Sequence, residues 1–306
     1  MTLYLSKNTI YLLKESIMKQ MRNKVAFWLV LSLFLTIILL PGFWRNLPLI
    51  FSPAYIMETG AYPWAVLGLC SLWLYFKREE VLEKITPQVT SRDKAIGSVM
   101  VGLSLLLRNE AEMSFLALGV LLVLLGTCTF IFGMPSSTPG ILLGIYAFAI
   151  VFPRVFTAHL EEPYAQTTVK TVASLISLLG YPVQTQGQVI SFISQTGEPL
   201  GSYIGAPSSG IASITLFVAL FALMHLDFKH PTKKAAYLFL FGLVGTALQN
   251  ILRLALIILA GYHFGYSAMV KVHDYAGYII FPAWYIAFAY IYLRSYKPGN
   301  NINKRK

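Results

Sequence analysis

Three polar side chains near the carboxyl terminus are of the types that perform acyl transfer. Ser208 offers a hydroxyl nucleophile, Arg253 a guanidinium that can stabilise an oxyanion, and His273 an imidazole that can act as a general base. All three stand at or within apolar stretches, where polar groups are costly and are functional candidates by default. One interpretation of this set is acyl transfer within the membrane or at its surface.

Each residue also has a simpler interpretation. Arg253 could extend to the outer lipid headgroups, His273 could be an ordinary interfacial residue, and Ser208 could be a small residue at a helix contact. Asn250 lies three residues before Arg253 on the same helical face, so we expect it to orient Arg253.

The composition is that of a membrane protein. Hydrophobic residues make up 56% of the 306 residues, charged residues 12%, and the mean hydropathy is +0.63. A soluble domain has about 25% charged residues. These values exclude an ordinary soluble enzyme, a disordered chain and a disulfide scaffold. The formal charge of +11 is better explained by basic cytoplasmic loops than by nucleic acid.

No metal or cofactor is expected from the sequence. The two cysteines, Cys70 and Cys128, are too few for a four-thiolate zinc site, and both fall within apolar spans as packing residues. The chain contains neither the H-E-x-x-H metal motif nor the G-x-x-x-x-G-K nucleotide motif.

Eight apolar stretches have a length that can cross, or nearly cross, a bilayer core of about 30 Å. The predicted fold is therefore an all-α polytopic membrane protein. The stretches are Val25–Phe43, Tyr62–Phe76, Ala95–Leu107, Phe115–Phe132, Ile141–Phe156, Pro207–Leu226, Ala235–Tyr262 and His273–Leu293.

The basic residues predict the orientation of these spans. Eighteen of the 24 Lys and Arg residues fall in the two terminal tails and in the loops after the second and sixth spans. Because basic loops stay in the cytoplasm, both termini are predicted to be cytoplasmic. Ser208, Arg253 and His273 then lie toward the outer ends of three consecutive spans, at the extracytoplasmic face of a plasma-membrane protein.

A long outer segment interrupts the spans. Residues 167–179 place apolar side chains at helical spacing, which predicts an amphipathic helix in the membrane interface. Residues 183–193 alternate loosely around Gly187, which indicates a short hairpin. The predicted organisation is a cytoplasmic tail over 1–24, five spans over 25–156, this outer helix and loop over 157–206, three spans carrying the polar residues over 207–293, and a second cytoplasmic tail over 294–306.

The carboxyl-terminal half resembles the exosortase/archaeosortase family of membrane transpeptidases. The similarity is close over about residues 165–285. It is carried by IGAPSSGIASITLFVALFAL from Ile204, by NILRLALIILAGYHFG from Asn250 and by VHDYAGYIIF from Val272. The family pattern is a Cys-Ser-Gly or Cys-Thr-Gly at the start of one span, an Asn-x-x-Arg in the next, and a His with a nearby Gly in the next.

The resemblance implies roles for these residues. Arg253 matches the essential Arg and His273 the essential His, with Gly277 as the nearby Gly. Ser209 and Gly210 follow Ser208 as they follow the family's nucleophile. Asp274 adjoins His273, but adjacent helical residues point about 100° apart, so it is poorly placed to orient the imidazole.

The implied activity is cleavage of carboxyl-terminal sorting signals of exported proteins. Such a signal consists of a short motif, a hydrophobic span and a basic cluster. The cleaved protein passes through an acyl-enzyme to an amine, a lipid or another surface acceptor. The implied partners are therefore sorting-signal peptides, the acceptor and membrane lipids, with no nucleic acid.

The chain departs from the family pattern because Ser208 stands where the family has its catalytic Cys. A serine hydroxyl is far more basic than a thiol and needs a well-placed base. Three interpretations remain open: a branch that uses Ser, an inactive relative that binds sorting signals, or a chain in which Cys was replaced by Ser to trap substrate.

Two other classes compete with this hypothesis. A rhomboid-like serine protease also uses Ser and His on separate helices, but its usual G-x-S-G is replaced here by P-S-S-G, ending at Gly210. A transporter would place Arg253 on a water-filled path and would often contain repeated halves, and no repeat is visible.

Overall fold

The computed structural model describes residues 7–51, 62–84, 89–110, 113–133, 138–205 and 208–296. It is 82% helical, which confirms the all-α class. The helices are α1 (Lys7–Leu39), α2 (Pro41–Asn46), α3 (Tyr62–Lys84), α4 (Ser91–Ser104), α5 (Met113–Phe132), α6 (Thr138–Leu178), α7 (Ile211–Asp227), α8 (Thr232–Phe264) and α9 (Tyr266–Arg294). Short 3-10 turns cover Leu47–Phe51 and Leu105–Leu107, and three strands, β1 (Gln184–Gln186), β2 (Val189–Ile193) and β3 (Pro199–Tyr203), form one sheet.

Five helices of the described chain are long and apolar enough to cross a membrane, which agrees with a polytopic membrane protein. They are α1, α5, α6, α8 and α9. The last four contain the fourth, fifth, seventh and eighth predicted spans, and α1 contains the first span only as far as Leu39. The sixth predicted span is the shorter apolar helix α7. The second and third predicted spans lie in α3 and α4, so the total of eight crossings stays a prediction.

Helix α6 differs from the sequence expectation. The fifth span and the amphipathic helix over 167–179 were predicted as separate elements, but one helix runs from Thr138 to Leu178 with Pro153 and Pro163 inside it. Proline usually ends a helix because it lacks an N–H and crowds the preceding turn. Within membrane helices this break is often tolerated, because neighbouring groups satisfy the freed carbonyls.

Contacts divide the chain into two compact units, Met1–Thr59 with Cys70–Ile150, and Gly60–Leu69 with Val151–Lys306. In the first unit, α4 and α5 cross closely, since a Cβ on Gly97 would lie 2.5 Å from the Gly126 carbonyl oxygen. Helix α1 is joined to α5 by Trp28, whose Nε1 donates to Thr127 Oγ1 at 3.0 Å. Small residues thus let helices of this unit approach closely, as is usual in membrane bundles.

In the second unit, α8 and α9 form an antiparallel hairpin joined by Gly265 alone. Gly265 has φ +78°, a conformation that favours glycine. Residues at equal distances from Gly265 meet across the hairpin, and small residues accept large ones. The Trp284 ring lies over Gly245, and Phe288 lies against Gly242. This register sets the height of each candidate functional side chain on the two helices, that is, its distance from Gly265 along the hairpin.

Helix α7 packs on this hairpin at the end away from Gly265. The Phe217 and Phe288 rings are 5.0 Å apart, and the Phe221 and Tyr292 rings are 5.7 Å apart. Nearer its start, α7 accepts a 2.9 Å hydrogen bond from Tyr285 Oη at the Ser213 carbonyl. Helix α7 therefore begins roughly halfway along the hairpin.

The hairpin predicted around Gly187 is confirmed. Strands β1 and β2 pair antiparallel through a two-residue turn in which Gly187 has φ +58°. The third strand, β3, pairs with β2 and was not predicted.

The sheet and the last turns of α6 cover the half of α8 that leads to Gly265. Val172 and Ile176 of α6, Ile190 of β2 and Leu254 and Ile258 of α8 share one buried cluster. The apolar face expected to lie in the membrane interface packs instead against protein, because helical periodicity is the same for both surroundings.

Candidate functional site

Ser208 lies in the turn that precedes α7. The backbone N–H groups of Ser208 and Ser209 both donate to the Gly205 carbonyl, at 3.0 and 2.9 Å. Gly210 follows with φ +95°, and the helix begins at Ile211, not at Pro207 as the sequence suggested; Pro207 itself lies outside the described residues. Ser208 is half-buried, and it stands beside the positive end of the α7 dipole, which favours developing negative charge.

Asn250 of α8 holds this turn. Its Nδ2 donates to the Ser208 carbonyl at 3.1 Å, and the residue is 3% exposed. A Cβ on Gly210 would lie 2.8 Å from the Asn250 side chain, so both the backbone angle and the close contact require glycine there. Asn250 was expected to orient Arg253, but the described residues include no hydrogen bond between the two.

Arg253 lies one turn nearer to Gly265 than Asn250. It is twelve residues before Gly265, and Gly277 is twelve residues after it, so the hairpin register brings them together. A Cβ on Gly277 would lie 3.5 Å from Arg253 Nε. The glycine thus leaves room for the guanidinium beside α9.

Two buried polar atoms of the site lack hydrogen-bond partners within the described chain: Arg253 Nε and Asn250 Oδ1. Buried polar atoms in folded proteins are nearly always hydrogen-bonded, so exceptions ask for an explanation. Both residues lie on one face of α8, where Asn250 contacts the Ser208 turn and Arg253 Nε lies beside Gly277. A bound peptide carries the carbonyl and amide groups that would satisfy them.

His273 lies about one further turn toward Gly265. It is the eighth residue of α9, which begins at Tyr266, so it does not open the helix as the sequence suggested. Its side chain is exposed, as is that of Asp274, and electrostatic interactions join it to Arg253 and Asp274. Arg253 therefore lies between the heights of His273 and Ser208.

The structure joins Ser208 to Asn250 and Arg253 to Gly277, and Asn250 and Arg253 lie about one turn apart on α8, with His273 about one turn nearer to Gly265. In the described residues, no hydrogen bond joins the Ser208 hydroxyl to Arg253 or His273. Catalytic hydrogen bonds are often long in an empty site and tighten only when substrate binds. The arrangement offers a hydroxyl, a guanidinium and an imidazole at successive heights.

Neither cysteine belongs to this group. Cys70 and Cys128 are both buried, and both belong to the first compact unit, whereas Ser208 belongs to the second. Within the described ranges, no group of three or more His, Cys, Asp and Glu residues could hold a metal ion.

A second polar network lies at the other end of the three helices, and sequence reasoning missed it. His225 Nδ1 and Tyr292 Oη are 3.0 Å apart, and Tyr292 Oη donates to the Phe228 carbonyl at 2.8 Å. His230 Nε2 lies 3.3 Å from the Tyr292 carbonyl and is 7% exposed. The three partners come from separate elements, so sequence spacing gave no signal of it.

Comparison with known proteins gives one family. The family model described as Transmembrane exosortase (Exosortase_EpsH) matches residues 44–290, about four fifths of the chain. The matched range contains Ser208, Arg253 and His273. No curated protein and no solved structure matches the chain.

Proposed function

The chain belongs to the transmembrane exosortase family, and from that premise we propose that it cleaves the carboxyl-terminal sorting signals of exported proteins. The cleaved protein would be transferred to a lipid, an amine or another surface acceptor. The observation that carries the proposal is the hydrogen bond from Asn250 to the Ser208 carbonyl. It holds the candidate nucleophile against Asn250, which lies one helical turn from Arg253, whose Nε atom is buried.

The proposed reaction has two steps. In the first, Ser208 Oγ attacks the scissile carbonyl carbon while His273 accepts the hydroxyl proton, and Arg253 stabilises the oxyanion. The C–N bond then breaks, and His273 returns the proton to the departing amine. An ester now joins Ser208 to the amino-terminal part of the substrate, and the acceptor attacks this ester and restores the Ser208 hydroxyl.

The heights of the three side chains suit a peptide that lies between them. His273 stands about 6 Å nearer to Gly265 than Arg253 does, at 1.5 Å per residue, and its contact with Ser208 would form when substrate binds. A bound peptide would enter from the exposed side of His273 and reach Ser208 past Arg253. Its carbonyl would give Arg253 Nε the hydrogen bond that it lacks.

The length of α8 supports a site at the outer edge of the bilayer. The helix has 33 residues, whereas about 20 residues cross the hydrocarbon core. If Lys233 and Lys234 mark the cytoplasmic surface, the core ends near Arg253, and the rest of α8 stands outside it. The sheet packs on that outer part. The proposal therefore includes cytoplasmic termini and an extracytoplasmic site.

The test is a cleavage assay in membranes. A secreted carrier protein is fused to the tail of an exported protein of the same genome that ends in a motif, a hydrophobic span and a basic cluster. We expect Ser208→Ala, Arg253→Ala and His273→Ala each to abolish cleavage. The matched controls Ser267→Ala, Arg294→Ala and His159→Ala change exposed side chains elsewhere and should cleave like the unchanged protein.

The assay also separates the alternatives. If no form cleaves but the unchanged protein co-purifies with the tail, the chain is a sorting-signal-binding protein and the catalytic proposal is wrong. If Arg253→Ala and His273→Ala cleave normally, the role assignment is wrong even where the family activity holds.

A further inference from the structure

We infer that the free edge of β3 binds the extended recognition motif of the substrate as a fourth strand of the sheet. The inference rests on the proposed function and adds to it a surface that selects an extended peptide backbone. Strand addition to an exposed sheet edge is a recurrent mode of peptide recognition, in which backbone hydrogen bonds supply the affinity.

The register shows which backbone groups face the free edge. Ile204 N donates to the Gln188 carbonyl and Ser194 N donates to the Glu198 carbonyl, both at 2.9 Å. The even-numbered residues of β3 therefore bond to β2. In an antiparallel pair the bonded residues alternate, so Gly201 and Tyr203 direct their N–H and C=O groups away from β2.

The edge is open. In the described chain β3 pairs with β2 only, Gly201 is exposed, and the Tyr203 side chain is 64% exposed. Proteins usually protect such edges with charged side chains, bulges or covering segments. The sequence of β3, PLGSY, has no charged residue. Pro199 has no N–H and closes the start of the edge, but the edge at Gly201 and Tyr203 stays open, and this opening is explained if a peptide pairs with it.

The course of β3 leads from the hairpin tip to the candidate nucleophile. Just before the strand, Glu198 Oε2 accepts a 3.4 Å hydrogen bond from Tyr266 N, beside Gly265. Five residues after the strand, the Ser208 carbonyl is bound by Asn250, deep along the hairpin. A peptide that runs parallel to β3 from outside the membrane would therefore approach Ser208.

The opposite edge of the sheet serves as an internal comparison. Strand β1 is also exposed, but two strand spacings of about 4.8 Å each separate it from β3. In the β1–β2 register, Gln186↔Val189 closes the turn, so Thr185 is the β1 residue whose N–H faces the free edge. A proline substitution at Gly201 or at Thr185 therefore removes one N–H from the free edge of β3 or of β1, so the two edges can be compared directly.

The first experiment compares proline substitutions at the two edges, using the tail-fused carrier described above. Gly201→Pro removes one edge N–H without removing a bond to β2, and Thr185→Pro does the same on β1. We expect Gly201→Pro to raise KM by about three- to tenfold, the value of one hydrogen bond, with kcat little changed. Thr185→Pro should leave KM unchanged, and Gly201→Ala, which keeps its N–H, should raise KM less than Gly201→Pro does. Equal KM values for Gly201→Pro and the unchanged protein would overturn the inference.

The second experiment does not depend on cleavage. Gly201→Cys or Thr185→Cys is combined with carriers that have a single cysteine at each successive position of the motif, and disulfide formation is measured. Pairing with β3 predicts cross-links to Gly201→Cys at every second position, because alternate side chains of a strand share a face. Cross-links without this alternation, or equally strong cross-links to Thr185→Cys, contradict it.

The two experiments separate this inference from the proposed function. Cleavage by the unchanged protein with no effect at the β3 edge rejects strand addition and keeps the enzyme. Alternating cross-links without any cleavage keep strand addition and reject the catalytic roles.

Discussion

At the scale of single residues, the chemistry depends on how a hydroxyl at position 208 becomes nucleophilic. A thiol has a pKa of about 8.5 and is partly ionised at neutral pH, whereas a serine hydroxyl must lose its proton during the attack. The turn places Ser208 beside the start of α7, whose positive dipole end favours the oxyanion that follows, and in the proposed reaction Arg253 adds a second positive group. A base must still reach the Ser208 hydroxyl. Along the α8–α9 hairpin, His273 is the histidine that lies nearest to the level of Arg253.

Restoring the family's thiol is the first prediction. Ser208→Cys should cleave the tail several-fold faster than the unchanged protein, because the thiolate is a better nucleophile near neutral pH. Its activity should be abolished by iodoacetamide, to which the unchanged protein should be resistant. Initial rates with and without the reagent check this. A Ser208→Cys enzyme as inactive as Ser208→Ala would contradict it.

Asn250 gives the second prediction, as a positioning residue. Asn250→Ala leaves the half-buried Ser208 carbonyl without its donor, at a cost of about 1–3 kcal/mol. If that cost falls on the placement of the nucleophile, kcat should fall by about 5- to 150-fold while KM changes little. The matched control is Gln249→Ala on the neighbouring face of α8. A rise in KM alone would assign Asn250 to substrate binding.

The types and order of the residues were enough to predict the candidate site residues, but not the contacts that these residues make. The sequence indicated Ser208, Arg253 and His273 because polar groups in apolar spans are rare. It could not assign Asn250 to the Ser208 carbonyl, because that contact joins residues 42 positions apart. It also placed His273 at a helix start, since no sequence rule showed that Gly265 alone would form the whole connection.

At the scale of elements, the α8–α9 hairpin determines the site, because its register pairs Arg253 with Gly277. Further along, Gly245 accepts the Trp284 ring, and Trp284 Nε1 donates to Thr246 Oγ1 at 3.1 Å. These contacts fix how far one helix can slide along the other. A change in them should therefore disturb the site from a distance.

Gly245→Ala tests this packing. The added methyl would overlap the Trp284 ring, so the ring must shift and its hydrogen bond to Thr246 must lengthen. Overpacking of this kind costs about 1–3 kcal/mol. We expect a lower Tm in detergent micelles. Gly144→Ala, where a Cβ meets nothing within 4 Å, is the control and should leave Tm unchanged or slightly raised. Equal Tm values for Gly245→Ala and the unchanged protein would contradict the register.

The turn between α7 and α8 gives a pH prediction. Burial lowers the pKa of the His230 imidazole below its usual value, and nearby Lys234 adds to this effect. As the pH falls, His230 therefore binds a proton at a higher pH in the unfolded chain than in the folded protein. Stability is full above about pH 6.5, the ordinary histidine value, and decreases as the pH falls below it.

The measurement is the slope of Tm between pH 7.5 and pH 5. His230→Gln, which cannot titrate, should show a shallower decrease than the unchanged protein, whatever its absolute Tm. His159→Gln alters an exposed histidine and should keep the original slope. A slope unaffected by His230→Gln would show that His230 does not titrate differently on folding.

The elements were predicted where a periodic signal exists and missed where none exists. Apolar length predicted the spanning helices, and Gly187 with its flanking alternation predicted the first hairpin. Strand β3, with Pro199 and Gly201 in five residues, has weak strand propensity and forms because β2 and α8 offer it a partner and a core. The fifth span and the helix over 167–179 were predicted as separate elements, whereas α6 runs through both.

At the scale of the whole molecule, the family match and the apolar helices show a membrane protein of the transmembrane exosortase family. The second compact unit contains the candidate site, the sheet and the polar network at the opposite end of α7–α9. In the proposed orientation these three parts lie in different environments. The sheet lies in the extracytoplasmic space, the candidate site at the outer edge of the membrane, and His230 of the polar network at the cytoplasmic side.

Labelling tests this orientation. Single cysteines introduced by Thr185→Cys in β1 and by Lys229→Cys beside α8 should react oppositely with a membrane-impermeant maleimide in intact cells. We expect rapid labelling at position 185 and labelling at position 229 only after the membrane is opened. Cys70 and Cys128 are buried and should react slowly with the reagent. Reversed accessibility would place the site on the cytoplasmic side.

If Ser208 is the nucleophile, it forms an ester with the substrate, and mass spectrometry of the trapped enzyme can detect this ester. The unchanged protein is incubated with the tail-fused carrier, quenched in acid and digested. We predict that the peptide containing Ser208 gains the mass of the carrier's last residues through an ester, and that His273→Ala and Ser208→Ala lack this adduct. Cleavage with the adduct on another residue, or an undiminished adduct in His273→Ala, would contradict the account.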